Sequence, residues 1–208
     1  MTRPALAMLL AACAASAQAQ TSTPAAPLQP SVDTAEQRQS LRAPVGCVAK
    51  SRQSWARQLL AEPYLSDDQA RAAGELFEGR DACAGRHDTE VTFRTSSIVS
   101  NLAEHFLKSD LAGVDQQRLA RTLNSLTPAN ASEDFALCVA ARDPAAASAL
   151  SLSEPGGGEE MRAAGQLAAY VEPCAAKGEK LTVDLQGLRG LMSIALYRAM
   201  TSVKLAKN

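Results

Sequence analysis

Several residue types and motifs are scarce in this chain. Aromatic residues make up 4% of it and histidine occurs twice. No serine lies in a G-x-S-x-G elbow, and no two cysteines have the C-x-x-C spacing of thiol–disulfide catalysts and many zinc sites. The 21 basic and 22 acidic residues give a net charge of −1, which provides no basic field for nucleic acid. We therefore expect no cofactor, no resident metal and no nucleic-acid partner.

Long apolar runs and β-branched runs are also scarce. After the N-terminal leader, no run reaches the roughly 20 apolar residues that a membrane-spanning helix needs, so we expect no integral membrane segment. The apolar residues, mostly Ala and Leu, recur with helical rather than alternating spacing. The predicted fold class is all-α.

The N-terminus has the pattern of an export signal. Arg3 precedes a short apolar run, and Ala17-Gln18-Ala19 provides the small-x-small cleavage pattern, so residues 1–19 are the predicted signal peptide. A second interpretation is lipidation at Cys13, which follows Leu10-Ala11-Ala12 as in a lipobox. Residues 20–32, rich in Thr, Pro and Ala, predict a disordered spacer. The expected location is periplasmic or secreted, or membrane-anchored if Cys13 carries lipid.

The remaining four cysteines recur at one interval. Cys47 and Cys83 are 36 residues apart, and so are Cys138 and Cys174. A shift of 91 residues also aligns the segment 71–76, RAAGEL, with the segment 162–167, RAAGQL. This pattern indicates an internal duplication that keeps one cysteine pair in each copy.

The cysteine spacing also favours one of the three possible pairings. In each copy, one cysteine lies near the start of the first predicted helix and the other near the end of the second. These positions lie side by side in an antiparallel helix pair, within the about 7 Å that a disulfide allows between Cα atoms. We therefore predict structural disulfides Cys47–Cys83 and Cys138–Cys174, as suits an exported chain.

The duplication predicts two tandem copies of a three-helix unit, each stapled by one disulfide. The first copy spans 33–112, with helices over about 46–61, 66–83 and 96–108. The second part spans 113–208, with a connecting helix at 115–125 followed by the second copy. We expect both copies to pack as one domain. The apolar stripe of the last helix is one residue out of register with that of 96–108, which indicates a one-residue length change in the loop before it.

Arg71 and Arg162 are the strongest repeated feature besides the cysteines. They would form a paired anion site across the axis between the copies, or each would pair with a nearby carboxylate; we favour the second interpretation. Glycine inside a helix costs about 1 kcal/mol relative to alanine. Gly74 and Gly165, kept in both copies, therefore predict close helix approach.

The two histidines are weak candidates for chemistry. Cys83 and His87 have metal-ligand spacing on a helix, but Gly85 suggests that the helix has already ended there. His105 follows Glu104, and adjacent helical residues point about 100° apart, so Glu104 is badly placed to orient the imidazole. We predict surface histidines at both positions.

Carboxylates offer a second set of candidates. Glu62, Glu75 and Glu104 have the residue type of a glycan-cleaving acid, but the aligned positions in the second copy are not acidic. The acidic pairs at 67–68 and 159–160 lie at the starts of predicted helices, where capping explains them better than divalent metal. The glycines at 156–158 lack the Lys-Ser/Thr of a phosphate loop.

The catalytic residues, if any, are therefore unknown from sequence. Our leading hypothesis is a non-enzymatic periplasmic or membrane-tethered module that binds another envelope protein. The alternatives are a hydrolase of cell-envelope glycan and a carrier of a small apolar ligand. An exposed apolar surface on a closed core would favour the first, a carboxylate with a raised pKa in a cleft the second, and a large apolar cavity the third.

Overall fold

A computed structural model of the chain describes residues 34–77, 83, 94–176 and 183–205. The predicted signal peptide, the spacer, Cys13 and His87 lie outside the described residues.

Every regular element in these ranges is a helix, which confirms the all-α prediction. In chain order the helices are α1 (Ala35–Ser40), α2 (Arg42–Ser51), α3 (Gln53–Ala61), α4 (Asp67–Phe77), α5 (Thr95–Asp110), α6 (Gln116–Ser125), α7 (Ala131–Arg142), α8 (Pro144–Leu152), α9 (Gly158–Cys174) and α10 (Leu185–Leu205).

Local sequence sets several helix starts. Asp115, Asn130 and Asp143 are the N-caps of α6, α7 and α8, and each side chain accepts a hydrogen bond from the N–H group three residues later. Pro144 follows Asp143 at the first position of α8, where its missing N–H group has no cost. These caps satisfy backbone donors that a helix start otherwise leaves open.

The prediction of one helix over 46–61 is wrong, because the chain breaks at Arg52 between α2 and α3. Arg52 leaves helical geometry with φ −132° and ψ 47°. Its guanidinium group donates to the carbonyl oxygens of Glu75 and Leu76 in the last turn of α4. The side chain thus satisfies free carbonyl groups of a neighbouring helix end, an interaction that helical periodicity does not report.

Helix bounds and turns recur along the chain at a fixed interval. The start and end of α3 and of α8 differ by 91 residues, as do the starts of α4 and α9. Leu65 and Gly156, also 91 apart, both have left-handed backbones, with φ of 62° and 78°. The N–H group of Leu65 donates to Gln69, and that of Gly156 donates to Glu160. Among the residues that the structure describes, four helices rather than the expected three fall in each of the runs α2–α5 and α7–α10.

Helix α10 lies at the centre of the molecule and packs most extensively on α5. A single apolar cluster contains residues of both halves, among them the fully buried Leu59, Leu102, Leu150 and Leu188. Gly190 allows the close approach, because a Cβ atom there would lie 2.4 Å from Oγ of Ser100. Ser100 and Gly190 occupy equivalent positions when α5 and α10 are aligned from their first residues, Thr95 and Leu185.

Both predicted disulfides are present. Cys47 and Cys83 have Cα atoms 5.5 Å apart, and those of Cys138 and Cys174 are 5.7 Å apart. The second bridge joins α7 to the end of α9, and the first ties α2 to Cys83.

The expectation of close helix approach at Gly74 and Gly165 is wrong. Both glycines are exposed, and a Cβ atom at either position would have no neighbouring atom within 4 Å. Packing therefore does not explain why glycine occurs at both positions.

No single helix among the described residues is long and apolar enough to cross a membrane. Helices α7 and α8 meet that test only as a pair, and they are bent by 109° relative to each other.

Candidate functional site

Five charged side chains from five helices meet between α5 and α10. Helix α1 contributes Arg38, α2 Arg42, α5 Glu104, α9 Glu160 and α10 Arg189; we call this set the ionic cluster. All except the partly exposed Arg42 are buried. Buried charges need partners and hydrogen bonds to offset the loss of water.

Arg189 is the centre of the ionic cluster. Its Nε and Nη2 donate to the two oxygens of Glu104 at 2.6 and 2.9 Å, and its Nη1 donates to Glu160 at 3.0 Å. Nη1 also donates to Oγ of Ser153, and Nη2 also donates to the carbonyl oxygens of Ser151 and Ser153. Burial opposes the charge, but Glu104 and Glu160 outweigh it and raise the pKa of Arg189. Its donors are all directed at the protein itself.

Glu160 is fully buried and forms a fork with a second arginine. Nη1 and Nη2 of Arg38 donate to its two oxygens at 2.5 and 3.1 Å, and the Gly156 N–H group donates to it at 2.6 Å. Burial alone would raise the pKa of Glu160. The hydrogen bonds from Arg38 and Gly156, with the charges of Arg38 and Arg189, lower the pKa instead.

Arg42 links the ionic cluster to the surface. Its guanidinium group lies 3.5 Å from Glu104, and it donates to Glu154 at 2.5 Å and to the Ser153 carbonyl oxygen at 2.9 Å. Both oxygens of Glu104 already accept from Arg189, so this carboxylate is held by two arginines. Hydrogen bonds between arginine and carboxylate groups are among the strong ones in proteins, so Glu104 is held firmly in this position.

A small cavity adjoins the ionic cluster. It has a volume of about 20 Å³ and is lined by Arg38, Asn101, Glu104 and Arg189, among others. This is room for about one water molecule, and the polar lining suits one.

A wider polar groove of about 90 Å³ lies beside it, at the start of α5 and α10. Tyr64, Ser97 and Asp184 line it, and Ser100 and Gln186 line both spaces. Burial raises the pKa of Tyr64, a hydrogen bond with Ser100 lowers it by less, and the charge of Asp184 raises it further. The groove is hydrophilic and smaller than the 300–1,000 Å³ typical of small-molecule sites.

A third buried carboxylate, Glu133, lies outside the ionic cluster. Glu133 accepts from the N–H groups of Tyr64 and Ala129 at 2.8 and 2.7 Å, and it pairs with Arg198. Asn130 extends this contact by donating to the Tyr64 carbonyl oxygen. These contacts hold the α3–α4 turn against α7 and α10, so the role of Glu133 is structural.

The predicted residues occupy different surroundings. Arg71 and Arg162 are both exposed, and each pairs with an acid three residues earlier: Arg71 with Asp68, and Arg162 with Glu159 at 3.7 Å. These are local pairs along α4 and α9. Surface pairs of this kind contribute about 0–1 kcal/mol.

The acid and histidine candidates are also separated. Glu75 is exposed and Glu62 partly exposed, so Glu104 alone of the three lies in the ionic cluster. His105 is partly exposed, and its Nδ1 would lie 3.5 Å from a Cβ atom on Gly46. Its pKa is lowered by burial and then by the charges of Lys50 and Lys108. Within the described ranges, no group of three His, Cys, Asp or Glu residues is arranged to hold a metal ion.

Sequence reasoning missed most of the ionic cluster. Glu160 aligns with Gln69 at the 91-residue shift, and Arg189 aligns with Val99 when α5 and α10 are superposed from their first residues. A charged residue whose aligned position in the other half is uncharged is a sequence signal that could have singled out Glu160 and Arg189. This signal does not show which acidic residue pairs with which basic residue.

No family model matches this chain, and neither the curated proteins nor the solved structures contain a match.

Proposed function

We propose that this protein is an exported, non-enzymatic module, built from two tandem copies of one helical unit, that binds another protein of the cell envelope. It is periplasmic, or tethered to the membrane if Cys13 carries lipid. Two disulfides in one chain are consistent with an oxidising compartment outside the cytoplasm.

The duplication is supported by details that packing alone does not require. The left-handed residues Leu65 and Gly156, the bonds that their N–H groups make, and the acid–arginine pairs of α4 and α9 all recur at the same interval. A shared origin explains why Leu65 keeps a backbone conformation that is uncommon for a leucine. The unit contains four helices in this proposal, with α6 as the connector.

The surroundings of Glu160 and Glu104 argue against acid catalysis. Glycan cleavage by a general acid needs a carboxyl group whose pKa is raised so that it holds a proton. The pKa of Glu160 is lowered, and Glu104 accepts two hydrogen bonds from Arg189. The ionic cluster therefore stabilises the contact between the two halves in this proposal.

The exposure of Trp55 is the observation that supports the binding proposal. This tryptophan, the only one in the chain, lies on α3 with half of its surface exposed. The guanidinium carbon of Arg52 lies 5.2 Å from the centre of its ring. Tryptophan and arginine are enriched among the residues that dominate protein–protein binding energy. Trp55 lies on α3, and Arg52, at the break before α3, is held by the carbonyl oxygens of Glu75 and Leu76. Both side chains are therefore held in place before binding, which lowers the entropy cost of association.

Site-specific photocrosslinking tests this proposal. A photoreactive phenylalanine replaces Trp55 in one variant and the exposed Arg118 of α6 in a matched control, and both are irradiated in intact cells. We expect a discrete adduct with one envelope protein from position 55 and none from position 118. Equal labelling at both positions, or cleavage of purified cell-wall glycan by the wild-type protein, would overturn the proposal.

A further inference from the structure

The two disulfides differ in their surroundings although they occupy equivalent places. Cys47 is exposed, whereas its counterpart Cys138 is partly buried. The second cysteines, Cys83 and Cys174, are both partly buried and pack against the apolar core. A thiolate that attacks from solution therefore reaches the first bridge more easily, through Cys47.

The charges around the first cysteines differ as well. Lys50 is exposed and lies three residues after Cys47 on α2, so the two side chains are neighbours on one helix face. The equivalent of Lys50 in the second copy is Ala141, which has no charge. The Lys50 charge also lowers the pKa of His105, whose ring lies against Gly46, so the ammonium group acts on this side of α2.

A nearby ammonium group favours exchange at Cys47. A cation attracts the incoming thiolate and stabilises the negative charge that is shared by the three sulfur atoms while the thiolate attacks Sγ of Cys47. Asp81 and Glu172 each lie two residues before the second cysteine of their half. The sequence around Cys83 and Cys174 therefore does not differ in this acidic charge.

We propose that Cys47–Cys83 is an exchangeable disulfide, reduced by an external dithiol protein of the thioredoxin type, and that Cys138–Cys174 is a permanent staple. The chain is the substrate in this exchange, which agrees with its lack of a C-x-x-C pair. The inference does not depend on the binding function proposed above.

The exchange consists of two displacements. A thiolate of the dithiol attacks Sγ of Cys47 and forms a mixed disulfide, while the Cys47–Cys83 bond breaks and Cys83 leaves as a thiolate that takes up a proton. The second thiol of the reductant then loses its proton and attacks its own partner sulfur. Cys47 leaves as a thiolate beside Lys50 and is protonated in turn. Two electrons pass to the protein, and the dithiol becomes a disulfide.

The test follows reduction of the oxidised full-length protein under native conditions. Samples are treated with limiting dithiothreitol, quenched with acid, alkylated and analysed by peptide mass spectrometry, while far-ultraviolet circular dichroism monitors the helices. We expect Cys47 and Cys83 to be alkylated about tenfold faster than Cys138 and Cys174, with helicity retained. Equal rates, or earlier reduction of Cys138–Cys174, would overturn the proposal.

Two further measurements examine the mechanism. Lys50→Ala should slow reduction of Cys47–Cys83 about threefold and remove its salt dependence, and Lys50→Arg should keep the wild-type rate. A thioredoxin-type protein without its resolving cysteine should be trapped on Cys47. Trapping on Cys138 instead, or a Lys50→Ala variant that reacts at the wild-type rate, would contradict the assignment.

Discussion

Arg189 joins more partners than any other member of the ionic cluster, since it contacts Glu104, Glu160 and the α8–α9 turn at Ser153. These contacts hold α5, α9 and α10 in a fixed arrangement. Loss of one partner in a buried network leaves the others charged and without water.

Arg189→Met tests this dependence. The substitution keeps most of the side-chain volume but leaves Glu104 and Glu160 with fewer donors, and we expect a loss of about 3–5 kcal/mol in the free energy of unfolding. Urea denaturation followed by circular dichroism measures it. The matched control Arg118→Met changes an exposed arginine of α6 and should alter stability by less than about 0.5 kcal/mol. Equal effects of the two variants would show that the ionic cluster has no stabilising role.

The lowered pKa of Glu160 predicts that the stability of the fold depends on pH. Because its pKa in the folded protein is lowered from the ordinary 4.5, its contribution is fully present above that value. The contribution is lost as the pH falls through the lower folded pKa, when Glu160 takes up a proton. Glu160→Gln should therefore be less stable than wild type at pH 7, and the difference should shrink steadily below about pH 4.5. Urea midpoints between pH 2 and pH 7 measure this; a constant difference would contradict it.

Alanine substitutions at three helical glycines should change the free energy of unfolding in different directions, with a loss at Gly190 and a gain at Gly74 and Gly165. Gly190→Ala places a Cβ atom against Ser100 and should destabilise by about 1–3 kcal/mol, with partial recovery when Ser100→Ala is added. Gly74→Ala and Gly165→Ala meet open space and should stabilise by up to about 1 kcal/mol. Thermal unfolding of the four variants distinguishes the sites. Destabilisation at Gly74 or Gly165 would restore the idea of close approach there.

At the scale of helices, the sequence predicted elements well and their interruptions poorly. The predicted starts of α4 and α6, at 66 and 115, lie one residue before the observed starts, and the acidic pair at 159–160 lies in the first turn of α9. The break at Arg52 was missed because it depends on the ends of α4, a contact between residues more than twenty positions apart. The same break in the second copy was visible, because Asp143 and Pro144 are local signals of a helix start.

Asp143 therefore offers a test of how a local cap determines this break. Its side chain accepts from the Ala146 N–H group at 2.9 Å, and Asp143→Ala removes that bond. We expect a loss of about 1 kcal/mol in unfolding free energy, measured by urea denaturation. Asp143→Asn keeps the cap and should lose much less. If both variants lose the same amount, the carboxylate has a role other than capping.

The candidate site shows a different limit of sequence reasoning. Arg71 and Arg162 stood out because both copies contain them, and they form only local surface pairs. The members of the ionic cluster occur singly, on five helices far apart in the chain, so no spacing rule connects them. Their meeting is a consequence of how α10 packs on α5, which only tertiary structure specifies.

At the scale of the whole molecule, two segments 91 residues apart have corresponding turns and bridges but different charged residues. Leu65 corresponds to Gly156 and Cys47–Cys83 to Cys138–Cys174. The positions aligned with Glu104 and Arg189 are uncharged, and Cys138, the counterpart of the exposed Cys47, is partly buried. A closed loop of this length stabilises a fold by about 4 kcal/mol in the chain-entropy model, a large share of the about 5–15 kcal/mol typical of a domain. One staple in each half is therefore central to the architecture.

The connectivity of the cysteines tests that architecture most directly. The exported protein is isolated without reductant, its free thiols are blocked, and it is digested and analysed by mass spectrometry for linked peptides. The account predicts two linked pairs, Cys47 with Cys83 and Cys138 with Cys174. A linked peptide that joins Cys47 or Cys83 to Cys138 or Cys174 would contradict it.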